Sequence, residues 1–460
     1  MEVLLEEKDA ADWVYRGEGA ANIVLAYNGS TPAFVGKVLR IPKAPRNVSD
    51  GEDGCSALTK EECLLWKEIK DLVLAPTKEF ANERYIQDVI KPLLGSAYVD
   101  VGTHALVSRE FLESVEKNIL FQRPSWRVDA TKVNLFCNSA LLIPDHSVFP
   151  PGNLKGEFCI SVEIKQPKCG FLPVSRFISE GNSVKKSISR FKMHQLLKLR
   201  EKVVSEISEY DPLDLFSGSR ERVDKAIRSL FFTPQNNFGV FLNGSLIYGG
   251  LGGRADYTSC MTGEAFEDIL KCIIQADDGL RTAYFLYLVT EALFSSGLLD
   301  EILKVQKLDI FDIEGAIHAY YDIVSRSCNA CRDLGEDKVL DKYKYLHSLP
   351  LDESLKIVKD YLIAATVKDL SIMIAFRPTA HGNMETQYSH VFLESTNQIF
   401  DYKVSLIDLD MKPLKKMEQY YQLDQKIVSC YAQMVKKEHQ LENLEVFRPI
   451  ELHTENPTSK

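Results

Sequence analysis

Residues 13–41 read WVYRGEGAANIVLAYNGSTPAFVGKVLRI and say most about the fold of this 460-residue chain. Gly17 and Gly19 come first, and the segment IVLAY that follows predicts a strand. Asn28-Gly29 predicts a tight turn, and FVGKVLRI predicts a second strand. The glycines therefore lead from a strand into a hairpin, whereas the glycine loop of a dinucleotide-binding fold leads from a strand into a helix.

A glycine hairpin of this kind suits a flap over nucleotide phosphates, as in kinase folds, because small residues let backbone N–H groups approach the phosphates. Lys37 or Arg40 on the next strand would neutralise phosphate charge. A surface hairpin with two glycines is an equally good interpretation of this segment alone. Further strands are predicted at ALLIPDHSVF and FCISVEIKQPK, where Asp145, His146 and Glu163 are candidates for adenine and ribose contacts, although Asp145-His146 also suits an ordinary turn.

Charge is distributed unevenly along the chain. The protein has 55 basic and 65 acidic residues, a net charge of −10, and this balance argues against a general nucleic-acid binder. Residues 161–202 nevertheless hold ten Lys or Arg against three Glu. Positive charge concentrated in this way predicts a site for a polyanion.

The basic segment contains VKKSISRFKMHQLLKLREKVV, which has helical periodicity and brings Arg190, His194 and Lys198 to one face. A solvated charged face is the commoner fate of such a stripe. Lys165 and Lys168 lie just upstream, at the end of an apolar strand, and favour a phosphate-binding wall instead. The opposite face is predicted to turn towards the core and carries Ile188, Leu196, Leu199 and Val203.

The C-terminal third offers carboxylates in the order that phosphoryl transfer needs. A helix over SLKIVKDYLIAATVKD ends at Asp369, and the strand FDYKVSLIDLD ends in Asp408 and Asp410. One carboxylate would address an acceptor hydroxyl and another would hold Mg²⁺, although each could also be a simple helix or turn cap. A predicted helix over KPLKKMEQYYQLD places three further residues on one face: Lys412, Lys416 and Tyr420.

Four residues have the chemistry of a closed metal site. Cys328 and Cys331 form a Cys-x-x-Cys pair, and His318 and His347 flank it. Four such ligands leave no open position, so they predict a structural zinc. A redox-active pair, or two thiols with unrelated histidines, are the alternatives.

The remaining bulk properties restrict the class of protein. The chain is long enough for two lobes, and it contains no run of 18 apolar residues, so no membrane partner is expected. The acidic start, MEVLLEEKDAADW, does not suit a targeting signal, and cytosol or nucleus is the expected location. The end, HTENPTSK, is predicted to be a flexible tail.

The chain resembles the plant-type inositol-pentakisphosphate 2-kinases nearly end to end, in strings such as RGEGAANIVLAY, SVEIKQPKCGFLP, EYDPLDLFSG and DYKVSLIDLDMKPLKKMEQYY. The resemblance implies transfer of the ATP γ-phosphate to the 2-hydroxyl of inositol 1,3,4,5,6-pentakisphosphate, with ATP, Mg²⁺ and a structural Zn²⁺. It implies an α+β, two-lobed, distantly protein-kinase-like monomer. Its small β-rich N-lobe would span 1–164, its large α/β C-lobe 165–450 and its tail 451–460.

The resemblance also implies roles for individual residues. Asp369 would address the 2-hydroxyl, assisted by Lys165 and Lys168, and Asp408 would hold Mg²⁺. The nucleotide would be met by Gly17, Gly19, Ala20, Ala21, Asn22, Arg40, Asp145, His146 and Glu163. The inositide would be met by Arg127, Lys165, Lys168, Lys198, Asn237, Lys412, Lys416 and Tyr420, and zinc by His318, Cys328, Cys331 and His347.

The sequence departs from the family pattern at four positions. Gln166 is inserted into the Glu-x-Lys-Pro-Lys signature, Gly239 replaces a basic residue, Pro45 replaces an arginine and Pro144 replaces an asparagine. A non-catalytic, zinc-stabilised inositol-phosphate-binding protein is therefore the alternative. The presence of both Asp369 and Asp408 favours the enzyme. A protein-kinase relative is disfavoured because the chain has no His-Arg-Asp or Asp-Phe-Gly string.

Overall fold

The computed structural model describes residues 3–19, 21–46, 57–149, 158–165, 167–250, 258–259, 263–334, 341–379 and 387–446. Ala20 and Gln166, on which two of the predictions fall, lie outside these ranges. Two seven-stranded sheets and many helices make up the described chain, and the predicted mixed α+β class is confirmed.

The first sheet forms from the N-terminal part of the chain. Its strands are β1 (Val3–Leu5), β2 (Trp13–Glu18), β3 (Asn22–Tyr27), β4 (Lys37–Pro45), β5 (Thr103–Val107), β6 (Thr131–Val133) and β7 (Ser139–Pro144). They stand in the order β1-β5-β7-β4-β3-β2, with β6 paired to the end of β4. The pair β1–β5 is parallel and the other pairs are antiparallel. Alternate residues such as Leu25 and Leu39 are buried and form one core with Trp13.

The predicted glycine hairpin between two strands is confirmed. Strands β2 and β3 pair in antiparallel fashion, and the Gly19 N–H donates to the Asn22 carbonyl over 2.9 Å. The predicted tight turn at Asn28-Gly29 is wrong, because β4 starts only at Lys37. The chain turns later, over residues 31–36, where Gly36 takes a φ of 71°.

The second sheet is antiparallel throughout. Its strands are β8 (Ile160–Lys165), β9 (Phe238–Leu242), β10 (Ser245–Gly250), β11 (Thr258–Ser259), β12 (Ser371–Pro378), β13 (Ser389–Leu393) and β14 (Gln398–Ile407). Their order is β11-β10-β9-β8-β12-β14-β13. Strand β8 is central, and its residues from Ile160 to Ile164 are all buried because elements pack on both of its faces.

Helices surround the second sheet and contribute most of the main core. The helices are α1 (Lys60–Leu65), α2 (Lys70–Val73), α3 (Lys78–Tyr85), α4 (Lys91–Leu94), α5 (Arg109–Ile119), α6 (Ser125–Ala130), α7 (Arg190–Arg200), α8 (Pro212–Leu215), α9 (Arg220–Phe232), α10 (Gly263–Leu270), α11 (Arg281–Ser296), α12 (Leu298–Gln306), α13 (Asp312–Ile323), α14 (Asn329–Leu334), α15 (Asp341–His347), α16 (Leu351–Asp369) and α17 (Met417–Val446). Helix α5 covers the first sheet, with Phe111 and Val115 in its core.

Helices α1 to α4 and strand β8 fall largely inside the range 1–164 but pack in the core of the second sheet. Trp66 of the α1–α2 connection and Tyr85 of α3 are fully buried beside residues of α16 and β12. The division of the chain at residue 164 stays a prediction. No single helix in the described ranges is long and apolar enough to span a membrane; α11 and α12 meet the length and composition only as a pair bent by 63°.

Two helix predictions need correction. Helix α7 ends at Arg200, Val203 beyond it is 46% exposed, and the other residues predicted to face the core are only half-buried: Ile188, Leu196 and Leu199. Because α7 lies between α17 and the main core, Phe191 and Met193 are buried on different sides. The predicted helix from residue 412 begins only at Met417, since Pro413 has an extended backbone (ψ 136°) and a short 3-10 turn follows it.

Candidate active site

Two neighbouring cavities collect most of the predicted site residues. The first, which we call the inter-sheet cavity, has a volume of about 380 Å³ and lies between the two sheets. Gly17 and Gly19 line it from the first sheet, and Glu163, Lys165 and Asp408 line it from the second. The second, which we call the basic cavity, has a volume of about 140 Å³ and is lined by Lys168, Arg190, His194, Lys198, Asp369 and Tyr420, among others.

Ion pairs fix one end of the inter-sheet cavity. The Asp145 carboxylate accepts from Arg16 (3.0 Å) and from the Ser147 N–H (2.9 Å). Arg16 also donates to the Gly244 carbonyl, so it ties the glycine hairpin to the second sheet. His146 is buried, which lowers its pKa to about 4, and Lys403 adds to this effect. A neutral imidazole and a held carboxylate are suitable partners for the polar edges of a nucleoside.

Arg40 of β4 meets the turn that follows β14. Its guanidinium donates to Asp410 over 2.9 Å and lies 3.9 Å from Asp408. Of these two aspartates only Asp408 lines the inter-sheet cavity, and its side chain is 59% exposed. An exposed carboxylate beside a phosphate-sized space offers the hard oxygen ligand that Mg²⁺ prefers. The residues present therefore fit a magnesium ion carried on nucleotide phosphates.

Strand β8 ends at the wall between the cavities. The Lys165 ammonium lies 3.5 Å from the Glu163 carboxylate on the side of the inter-sheet cavity. Burial raises the pKa of Glu163, and Lys165 opposes that rise. Lys168, three residues later, has a left-handed φ of 70° and lines the basic cavity. The two lysines therefore serve different cavities, which the spacing in the sequence leaves open.

Cations crowd the basic cavity. Burial lowers the pKa of Lys168 to about 8 against the attraction of Asp369, and Lys198 lowers it further. Burial also lowers the pKa of His194 to about 3, with contributions from Arg190 and Lys198. These lowered pKa values mean that the protonated forms are destabilised in the free protein. An anionic ligand would stabilise them, so the site suits such a ligand.

Asp369 ends α16 at the edge of this cavity. Its carboxylate lies 3.1 Å from the Lys412 ammonium. Burial alone would raise the pKa of Asp369, but Lys412 and Lys168 outweigh burial and hold that pKa below its ordinary value. Asp369 is therefore ionised at neutral pH and can accept a proton or a hydrogen bond from a hydroxyl group.

Several predicted residues lie away from these positions. Arg127 lines the inter-sheet cavity, where it donates to the Gly19 carbonyl (3.2 Å), rather than the basic cavity. Lys416 is exposed, and Ala21 and Asn22 line neither cavity. Asn237, predicted to meet the inositide, also lines neither cavity, and its buried amide nitrogen has no hydrogen-bond partner within the described chain.

The departures from the family pattern fall at defined places. Pro45 ends β4 opposite Thr131, and Pro144 ends β7 at the rim of the inter-sheet cavity. Gly239 stands opposite Glu163 in the second sheet.

Some functional residues were not identifiable from the sequence. Lys185 belongs to the basic segment, yet it is buried and its ammonium lies 2.5 Å from Asp312, 2.7 Å from Asp424 and 3.2 Å from Glu314. These three carboxylates could be mistaken for a metal site, but the Lys185 ammonium already contacts all of them. Asp424 also accepts from Arg190 (3.3 Å), which links this cluster to the basic cavity. No local pattern identifies such long-range partners.

The four predicted zinc ligands come together. The Nδ1 atom of His318 lies 3.4 Å from the sulfurs of both Cys328 and Cys331, and 3.2 Å from Nε2 of His347. Ligand atoms around a tetrahedral zinc are separated by roughly 3.3–3.8 Å, given metal–ligand bonds of about 2.0–2.3 Å. The other ring nitrogen of His347 lies 2.7 Å from Asp322, a contact that typically orients a metal-bound histidine. The residues present fit a structural zinc.

Comparisons with known proteins agree along the whole chain. The sequence model of the inositol-pentakisphosphate 2-kinase family matches residues 15–426. An Arabidopsis thaliana protein named inositol-pentakisphosphate 2-kinase is 56% identical over 98% of this chain and 99% of its own length. Its counterpart from Oryza sativa subsp. indica is 49% identical over 94% and 96% of the two chains, and that from Danio rerio is 29% identical over 93% and 94%.

Proposed function

Because the chain belongs to the inositol-pentakisphosphate 2-kinase family, we propose that it transfers the ATP γ-phosphate to the 2-hydroxyl of inositol 1,3,4,5,6-pentakisphosphate. The protein is a kinase that converts inositol pentakisphosphate to inositol hexakisphosphate. The proposal concerns how its own residues divide that work between the two cavities.

The observation that carries the proposal is the crowding of cations around Asp369. Five phosphates bring a charge of roughly −8 to −10, since each carries about −1.5 to −2 at neutral pH. Lys168 follows strand β8, whereas Arg190 and Lys198 lie on helix α7. All three line the basic cavity beside the Asp369 carboxylate. A ligand with this charge needs several cations at once, and each cation is stabilised by its attraction to a phosphate when the ligand binds.

Asp369 is the proposed catalytic base. It is ionised, it lies at the edge of the basic cavity, and Lys412 and Lys168 hold its charge in place. Its carboxylate would orient the 2-hydroxyl and take its proton as the phosphoryl group arrives. Lys168 would bind an inositide phosphate, while Lys165, on the other side of the strand end, would neutralise the transferred phosphate.

The inter-sheet cavity is the proposed nucleotide site. The glycine hairpin would cover the phosphates, and Asp145, His146 and Glu163 would meet the nucleoside. Asp408 would hold Mg²⁺, which neutralises charge on the phosphates when bound. We also propose that the two sheets correspond to a small and a large lobe, with a structural zinc in the large one.

The test is an assay with ATP, Mg²⁺ and inositol pentakisphosphate, followed by anion-exchange separation of the products. Appearance of inositol hexakisphosphate with matching loss of ATP supports the proposal. Tight binding of the inositide by calorimetry, without turnover at any Mg²⁺ concentration, would instead identify a binding protein.

A further inference from the structure

The turn that carries Asp408 has a backbone conformation that needs support. Asp408 directly follows β14 and has a φ of 60°, a region that residues other than glycine seldom adopt. Residues in such conformations cluster at functional sites and persist only when surrounding contacts hold them. The contacts that hold this turn therefore influence where the Asp408 carboxylate points.

Asn82 of helix α3 makes two of these contacts with one amide group. Its Nδ2 donates to the Asp410 carboxylate over 2.8 Å, and its Oδ1 accepts from the Met411 N–H over 2.7 Å. The second oxygen of Asp410 accepts from Arg40 over 2.9 Å. Asp410 thus joins β4 of the first sheet to α3, and both of its oxygens are engaged by protein donors.

Helix α3 is itself firmly placed. Thr77 caps its first turn by accepting from the Phe80 N–H, and Tyr85 near its end is fully buried. The Tyr85 hydroxyl donates to Thr366 of α16 over 3.1 Å. Asn82 therefore projects from a fixed support onto the turn, and the two hydrogen bonds restrain a side chain and a backbone amide together.

We propose that Asn82 is a positioning residue for the metal-binding turn: it holds Asp410 and the Met411 amide so that Asp408 faces the inter-sheet cavity. The inference rests on the proposed function, because it assigns Mg²⁺ to Asp408. It also gives the two aspartates different roles: Asp408 lines the inter-sheet cavity, whereas both oxygens of Asp410 are hydrogen-bonded to the protein and Asp410 acts through the turn.

The test compares Asn82→Ala with Thr77→Ala, a matched control that removes the cap of the same helix without touching the turn. Asn82→Ala is expected to raise the Mg²⁺ concentration for half-maximal rate by about tenfold and to lower kcat by about 10- to 100-fold, the usual cost of losing a group that orients a metal ligand. The Kd for inositol pentakisphosphate changes by no more than about twofold, because Asn82, Asp410 and Met411 do not line the basic cavity and Lys412 keeps its own contact with Asp369. Thr77→Ala lowers Tm but leaves the Mg²⁺ requirement at the wild-type value.

Hydrogen exchange gives a readout that needs neither metal nor turnover. A peptide covering residues 408–414 is expected to exchange faster in Asn82→Ala than in wild type or Thr77→Ala, because the Met411 amide loses its acceptor. Equal exchange and an equal Mg²⁺ requirement in the two variants would overturn the proposal.

Asp410→Asn separates this proposal from a metal-ligand role. The amide keeps an oxygen for Asn82, so a loss of activity near tenfold supports the bridging role, whereas complete loss matching Asp408→Asn would overturn it. A wild-type protein without turnover would instead refute the proposed function, and the exchange measurement would still decide whether Asn82 holds the turn.

Discussion

The two cavities differ in how the charges of their lining residues are balanced. Around the inter-sheet cavity, cations face carboxylates at short range, as Arg16 does with Asp145 (3.0 Å) and Arg40 with Asp410 (2.9 Å). The basic cavity also contains such pairs, as Arg190 with Asp424 (3.3 Å), but it brings further cations together: burial lowers the pKa of His194, and Arg190, Lys198 and Lys168 lower it further. Lys198 has no carboxylate within 4 Å in the described part of the chain.

This difference separates residues that set geometry from residues that bind charge. A nucleotide that arrives with Mg²⁺ carries partly neutralised phosphates, so a balanced cavity can hold it without an excess of cations. An inositide with five phosphates brings no such counter-charge, and the protein must supply it. Substitution of Asp408 in the first cavity should therefore change the rate, and substitution of a cation in the second should change the affinity for the inositide.

The largest expected effect is in the inter-sheet cavity. Asp408→Ala should lower kcat by about a thousandfold or more, because several kcal/mol of charge stabilisation at the phosphates are lost. The Kd for inositol pentakisphosphate, measured by calorimetry, should stay within about twofold of wild type. Wild-type turnover in this variant would refute the assignment of the metal ligand and with it the contrast between the cavities.

Next in size is the loss of one cation from the basic cavity. Lys198→Met should weaken inositide binding by about 10- to 100-fold, since a hydrogen bond to a charged group contributes about 1.5–3 kcal/mol. The KM for ATP should not change. Lys192→Met is the control, because Lys192 lies on the same helix but pairs with Asp211 (2.8 Å) outside the cavity. Similar losses in both variants would mean that α7 binds the ligand through overall charge.

The third effect is a dependence on pH. Lys168 has a pKa of about 8, below the ordinary 10.5, so it is charged below pH 8 and loses its proton as the pH rises further. Inositide affinity should fall by about tenfold between pH 7 and pH 9, while the substrate phosphates, whose second pKa is about 6, are already ionised. Lys168→Arg should remove this dependence, because arginine stays charged. A wild-type affinity that is constant over this range would contradict the assignment.

The smallest effect on activity should come from the zinc site. Cys328→Ser with Cys331→Ser should remove about one zinc per chain by elemental analysis and lower Tm, because four ligands from α13 to α15 lose their common ion. Helix α13 also carries Asp312 and Glu314, which hold Lys185 near the basic cavity. A small rise in the KM for the inositide is therefore expected, with the KM for ATP unchanged. A larger change in the KM for ATP than in the KM for the inositide would contradict the expected connection between the zinc site and the basic cavity.

The sequence predicts what depends on neighbours along the chain. Glycines beside strand-like segments predict the glycine hairpin between β2 and β3, and helical spacing brings Arg190, His194 and Lys198 to one cavity. The ligand chemistry of Cys328 and Cys331 likewise predicts a cluster that the fold assembles. Each of these predictions needs only local backbone geometry or the preferences of one ion.

Other features depend on contacts between distant parts of the chain, which spacing does not encode. Lys185 looks like its basic neighbours but is buried against carboxylates more than 120 residues away. Lys165 and Lys168 look equivalent in the sequence, yet they line different cavities, and Lys168 has a left-handed backbone. Asn82 has no motif around it, since its role appears only when Met411 lies beside it.

Lys165 and Lys168 are only three positions apart in the sequence, and this closeness limits how the binding site can evolve. Under the proposed roles, Lys165 meets the phosphate donor and Lys168 the acceptor, so a change that shifts this segment would alter the surroundings of both ligands together. Paired substitutions here should be strongly non-additive. A change of acceptor preference during evolution is therefore expected to arise from substitutions in α7 or α17, which leave the binding of the phosphate donor unchanged.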